Sequence, residues 1–224
     1  MEKDRSTKII AIAALLVGVV GLSLGFAAFS NTLTISSSAE VTPDPNTFNV
    51  DFSATTSGDL SEAPVTPALT PSTAVEGFEA SDGTIDNSVA GAPKITGLHA
   101  TFTEPGQKAT YTFSAKNIGE YEAFLKSIVF SNVASGSTTK VCTPGTGTTA
   151  ALVTAACEDI TLSIKVGNEA VTTGSVASIT NHSLAINAND PIVVTIEYAA
   201  GGHRADGDFT VAFGDITLTY SSVD

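Results

Sequence analysis

The chain has 224 residues, a net charge of −13, 42% hydrophobic residues, no Trp and two Cys. That length holds one domain, or one domain with an extension. So acidic a chain repels phosphate backbones, which argues against nucleic acid as a partner, and its apolar content argues against general disorder.

A charged stub, residues 1–8, precedes an uncharged and almost wholly apolar run over residues 9–29. As a helix at about 1.5 Å per residue, that run spans roughly 30 Å, the thickness of a bilayer core. Lys3, Arg5 and Lys8 ahead of it favour an N-inside orientation, which places the rest of the chain at the cell surface or beyond. Two fates stay open. Gly25 and Ala27 are small residues at the −3 and −1 positions of a junction between Ala27 and Ala28, so the run reads as a cleavable signal peptide. It is also longer than a usual signal core, which favours a retained anchor. A buried core helix is the bland reading, and the lack of a polar face counts against it.

Past residue 29 the apolar period changes to two. Phe48, Val50 and Phe52 alternate, as do Leu98, Ala100 and Phe102, then Tyr111, Phe113 and Ala115. Ile160 to Val166, Ile192 to Tyr198, Phe209 to Phe213 and Ile216 to Tyr220 repeat the pattern, and residues 121–130 add one more strand. Alternation buries one face of a strand and leaves the other in water. Glu104-Pro105-Gly106-Gln107, Asn117-Ile118-Gly119-Glu120, Gly201-Gly202, Asp206-Gly207-Asp208 and Gly214-Asp215 punctuate the runs as turns. No helical spacing is sustained after residue 29. The fold class expected is all-β, an antiparallel β-sandwich of jelly-roll or immunoglobulin-like type, preceded by one apolar helix. Its parts are the helix (1–29), N-terminal strands (30–52) packing onto the body, a Pro-, Ser- and Thr-rich surface excursion (53–93) with Phe78 and Ile85 as pins, and the sandwich body (94–224).

Two stretches resemble a known family. GFAAFSNTLTI, at the end of the apolar run, is similar to the cleavage junction of secreted Gram-positive proteins of the TasA/camelysin type. EPGQKATYTFSAKNIGEYEAFL, from Glu104 to Leu125, resembles their Pro-Gly-x-x-x-Thr-Tyr-x-Phe-x-x-x-Asn-x-Gly signature. The resemblance covers about a fifth of the chain. It implies a jelly-roll-like sandwich at the cell surface or in biofilm matrix fibres. The 53–93 excursion and the Cys pair depart from the pattern.

An exported chain with Cys142 and Cys157 is expected to form a disulfide tying down a hairpin connection. Camelysin-type proteins are classed as metalloproteases, so zinc is the first chemistry to test. His99, His182 and His203 are far apart and no His-Glu-x-x-His is present, which disfavours it. Asp206, Asp208 and Asp215 beside glycines are weak calcium candidates, as are Asp82, Asp86 and Asn87; neither set has the twelve-residue loop ending in Glu, and Asp-Gly pairs are commonly plain turn formers. No phosphate loop or Gly-x-Ser-x-Gly elbow occurs. Without Trp, a carbohydrate platform is weak; Asn181-His182-Ser183 matches a glycosylation sequon.

The expectation is therefore a non-catalytic surface or matrix protein without a cofactor, targeted to the membrane through its N-terminal helix. Phe29, Leu33 and Ile35 share a period of two and, freed by cleavage, would form a donor strand for a neighbouring sheet. A pilin-like subunit packing its apolar helix in a filament core is one alternative. A membrane-anchored adhesion or ligand-binding domain is the other.

Overall fold

The computed structural model describes residues 47–60, 63–133, 138–167, 169–172, 177–178 and 182–222. The apolar run, the Ala27–Ala28 junction and the donor residues Phe29, Leu33 and Ile35 lie outside them. Among the described residues no helix is long and apolar enough to cross a membrane. Pro43–Asp224 form one compact unit, and the described residues supply its core.

Every alternating run among the described residues is a strand or lies against one. The first sheet has β7 (Lys108–Asn117), β14 (Asn189–Tyr198), β10 (Ile160–Val166) and β11 (Glu169–Thr172) side by side and antiparallel. Two short strands share its outer lane along β7: β1 (Val50–Ser53) pairs with residues 114–117 and β2 (Ala68–Thr70) with residues 108–110.

The second layer is a row of strands, each interrupted once along its length. β5 (Lys94–Thr96) and β6 (His99–Phe102) lie along β16 (Ile216–Ser221) and β15 (Phe209–Phe213). Beyond them run β8 (Ala123–Phe130) and β9 (Lys140–Pro144). β3 (Glu79–Ala80) and β4 (Thr84–Asp86) form one edge lane, and β12 (Ala177–Ser178) and β13 (Ser183–Leu184) the other. The break between β15 and β16 is Gly214. A Cβ there would lie 2.1 Å from the Ser131 carbonyl oxygen, so only glycine lets the segment leaving β8 cross so closely.

The two layers meet through the residues that the period of two assigns inward. Tyr198 of the first sheet sits edge-on between Phe102 and Phe209 of the second, with ring centroids 5.8 and 5.6 Å apart. Such edge-to-face contacts add to the area these rings bury. Tyr111 crosses the same interior, and its hydroxyl donates to the Ser81 carbonyl at 2.9 Å; burial pushes that phenol up to about 12.

Two expectations need correction. Residues 53–93 stay largely at the surface, pinned by Phe78 and Ile85, but are more than a loop: they supply β2, β3 and β4, join by a Val65–Gly83 bridge and also bury Val65. The Cys142–Cys157 interval is not a plain hairpin connection. It holds β9 and a helix, α1 (Ala150–Glu158), with Val153 and Ala156 turned into the core. The turns at residues 104–107 and 117–120 fall where the sequence places them, and each carries the chain between the first sheet and the second layer. The first is closed by buried Gln107, whose amide oxygen accepts the Thr103 N–H at 2.8 Å while its nitrogen donates to Thr103 Oγ1.

Candidate functional site

The two flanks of the sandwich are closed by different chemistry. On one, α1 packs on β9 and β10, and Cys142 of β9 is bonded to Cys157 of α1 with 6.1 Å between Cα atoms. The helix begins after Thr149 because Asp206 receives it from outside: Oδ1 accepts the Thr149 N–H at 2.8 Å and Oδ2 the Thr149 hydroxyl at 2.6 Å. Those bonds hold the Asp206 carboxyl below its ordinary range. At the other end Lys140 Nζ donates to the Cys157 and Ile160 carbonyls, where a helix leaves acceptors unsatisfied and favours a cation. Burial draws the Lys140 amine down, against the pull of Asp159 and Glu158. Asp159 accepts the His203 N–H and ring Nδ1–H, both at 2.7 Å; these bonds lower its carboxyl and pin the 199–208 loop over the helix end.

The opposite flank is joined by the Val65–Gly83 backbone bridge and, between β4 and β1, by one side chain. Asn87, just past β4, faces the outer edge of β1. The Phe52 N–H donates to Asn87 Oδ1 at 2.8 Å, and Asn87 Nδ2 donates to the Phe52 carbonyl at 3.0 Å. One carboxamide thus supplies the donor and the acceptor that a further strand would offer there. Around it a groove of about 700 Å3 runs between β1 and β4, walled by Phe52, Leu60, Ile85 and Thr96. Leu60 is 42% exposed. On the far face of β1, burial raises the carboxyl of Asp51, opposed by a hydrogen bond from Asn49. Asp51 Oδ1 and Asn49 Oδ1 are buried without a hydrogen-bond partner.

The residues singled out for chemistry do not converge. Asp206 holds Thr149, the residue before α1, while Asp215 lies against Lys94 at 3.5 Å beside Asp86 at 3.3 Å. The Asp208 carbonyl accepts the Gly145 N–H and the Thr148 hydroxyl. Asp206, Asp208 and Asp215 are thus engaged separately, in contacts to Thr149, to the 145–148 turn and to Lys94. Among the described residues no three His, Cys, Asp or Glu side chains are grouped to hold a metal ion. His99 is on the exposed face of β6, His203 pairs with Asp159, and His182 pairs with Asp190. Near that last pair, burial and the Asp190 charge push the Tyr220 phenol upward.

No family model, curated protein or solved structure matches this chain. The reading of the site thus rests on its own geometry. Sequence reasoning missed Asn87 as an edge clip, because Phe52 is 35 positions away. It also missed Thr149 as the start of a helix, although a Thr directly before an Ala-rich stretch is an ordinary cap signal.

Proposed function

We propose that the protein is a non-catalytic, exported surface or matrix subunit. In this reading the strand carrying Phe29, Leu33 and Ile35 of one copy adds to the groove between β1 and β4 of the next. The observation that carries the reading is the groove itself: two edge strands, apolar side chains from Leu60 and Ile85 among polar Thr84, Ser88 and Thr96, and a β1 edge on which Asn87 already imitates a strand. An incoming strand with apolar side chains at alternate positions fits such a groove twice over. Its backbone bonds to the edge, and its side chains enter the walls. The engagement of Asp206, Asp159, Asp215, His182 and His203 in structural contacts is consistent with a scaffold. The resemblance to TasA/camelysin-type proteins supports the same reading and implies the jelly-roll variety of sandwich.

The test compares a chain beginning at Ala28 with one lacking residues 28–35, by multi-angle light scattering at high concentration. Polymers from the first and monomers from the second are expected. A chain beginning at Ala28 that stays monomeric contradicts the reading.

A further inference from the structure

One pole of the sandwich carries an apolar tip of unusual make-up. Ile118 occupies the turn after β7 and Ile186 the turn before β14, positions where polar residues and Gly are usual. They are 38% and 49% exposed, and Tyr121, close by in the chain, is 55% exposed. The two turns are bonded to each other: the Asn187 N–H reaches the Asn117 carbonyl at 3.0 Å, and the Asn117 N–H reaches the Ala188 carbonyl at 3.1 Å. Asn187 takes the left-handed conformation, φ 62°, to close its turn.

The tip is also held firmly. Asn117 is fully buried. Its Nδ2 donates to the carbonyls of Tyr121 at 2.8 Å and Leu184 at 2.9 Å, and its Oδ1 accepts the Gly119 N–H at 3.0 Å. The described chain enters at this same pole. The Ile118 N–H bonds the Asn49 carbonyl at 3.0 Å, and the Glu120 N–H bonds the Thr47 carbonyl at 2.8 Å.

We infer that Ile118, Tyr121 and Ile186 form a contact surface for a second copy of this chain, namely the copy that receives the donor strand. The inference rests on the strand-addition reading above. Residues 36–46 join the donor strand to Thr47 and reach at most about 40 Å when extended. A receiving copy is thereby kept beside the pole from which the strand departs. Three partly exposed side chains offer far less than the roughly 800 Å2 per partner of a stand-alone interface. The tip therefore clamps a neighbour already tethered at high effective concentration and does not dimerise the domain unaided. Glu120 and Glu122 flank Tyr121, so salt, which screens the repulsion between two acidic copies, strengthens the contact. The same two carboxylates disfavour an anionic lipid surface as the occupant.

The test uses the chain beginning at Ala28, which retains the whole compact unit. The triple variant Ile118→Ser, Tyr121→Ser, Ile186→Ser is compared with Leu152→Ser, an apolar side chain 40% exposed on α1. The readout is the critical concentration for assembly, with thermal unfolding of the strand-deleted monomer as the check on folding. The triple variant is expected to raise the critical concentration about tenfold or more, to leave monomer unfolding unchanged, and to differ from Leu152→Ser, which assembles normally. Polymers that form equally well from the triple variant overturn the tip contact and leave strand addition standing. A parent chain that never polymerises overturns both. Loss of assembly accompanied by a destabilised monomer counts against the tip unless Tyr121→Ser alone, on an unaltered monomer, also raises the critical concentration.

Discussion

The helix flank and the groove flank close the same sandwich with very different means. On the helix flank a covalent bond, the Asp206 hold on Thr149 and a lysine tying two carbonyls fasten α1 over β9 and β10. On the groove flank a single carboxamide spans from β4 to β1 over a space of about 700 Å3. A sheet edge is a standing invitation to another strand unless something blunts it. One flank is covered by the helix where β9 meets β10. The other carries the Val65–Gly83 bridge, but between β1 and β4 it is held by two hydrogen bonds of about 1 kcal/mol each, which an incoming strand replaces in kind.

The comparison breaks most visibly at the disulfide. Replacing Cys142 and Cys157 with Ser is expected to cost about 3 kcal/mol, as for a closed loop of this length. Thermal unfolding reads the loss, and hydrogen exchange should localise it to α1 and β9 while β1 and β4 keep their protection. Uniform loosening of both flanks would show that they are not independent.

Asn87→Ala is the matching change on the groove flank. It bares the Phe52 N–H and carbonyl and is expected to cost about 1–2 kcal/mol. Exchange at Phe52 should rise, with no change at α1. In the strand-deleted monomer the same substitution should promote edge-to-edge association, measured by sedimentation velocity.

Acid separates the flanks with opposite sign. Asp206 and Asp159 have lowered carboxyls in the fold, so their contribution is present above the ordinary value of 3.8 and is lost as pH falls through the folded value. Asp51 is raised, so its charge burdens the fold above its folded value, and the burden is gone below 3.8. Acidification should therefore loosen α1 while relieving β1, as hydrogen exchange across a pH series reads. The smallest effect expected is from Asp51→Asn: a modest rise in melting temperature at neutral pH that vanishes at about pH 3. An equal gain at both values would remove charge burial as the cause.

Legibility in the sequence follows the same division. The long strands were readable because seven or more residues at a period of two bury one face, as Ile160, Leu162, Ile164 and Val166 do. β2, β3 and β4 were hidden because strands of two or three residues have no period; they form where a neighbouring lane needs a partner. α1 was hidden because AALVTAACE is rich in Ala, which favours helix but marks no face. The acidic turn residues were visible as residues and not as partners, since Asp206 reaches Thr149 across 57 positions and Asn87 reaches Phe52 across 35.

The central claim is that the groove between β1 and β4 receives the strand bearing Phe29, Leu33 and Ile35. A synthetic peptide of residues 28–35 added to a chain lacking them tests it most directly, with amide exchange read at residues 50–53 and 84–88. The account predicts slowed exchange in both segments at saturating peptide and none at α1, with the effect lost for a peptide carrying Leu33→Asp and Ile35→Asp. Unchanged exchange in β1 and β4, or protection confined to another edge, would contradict it.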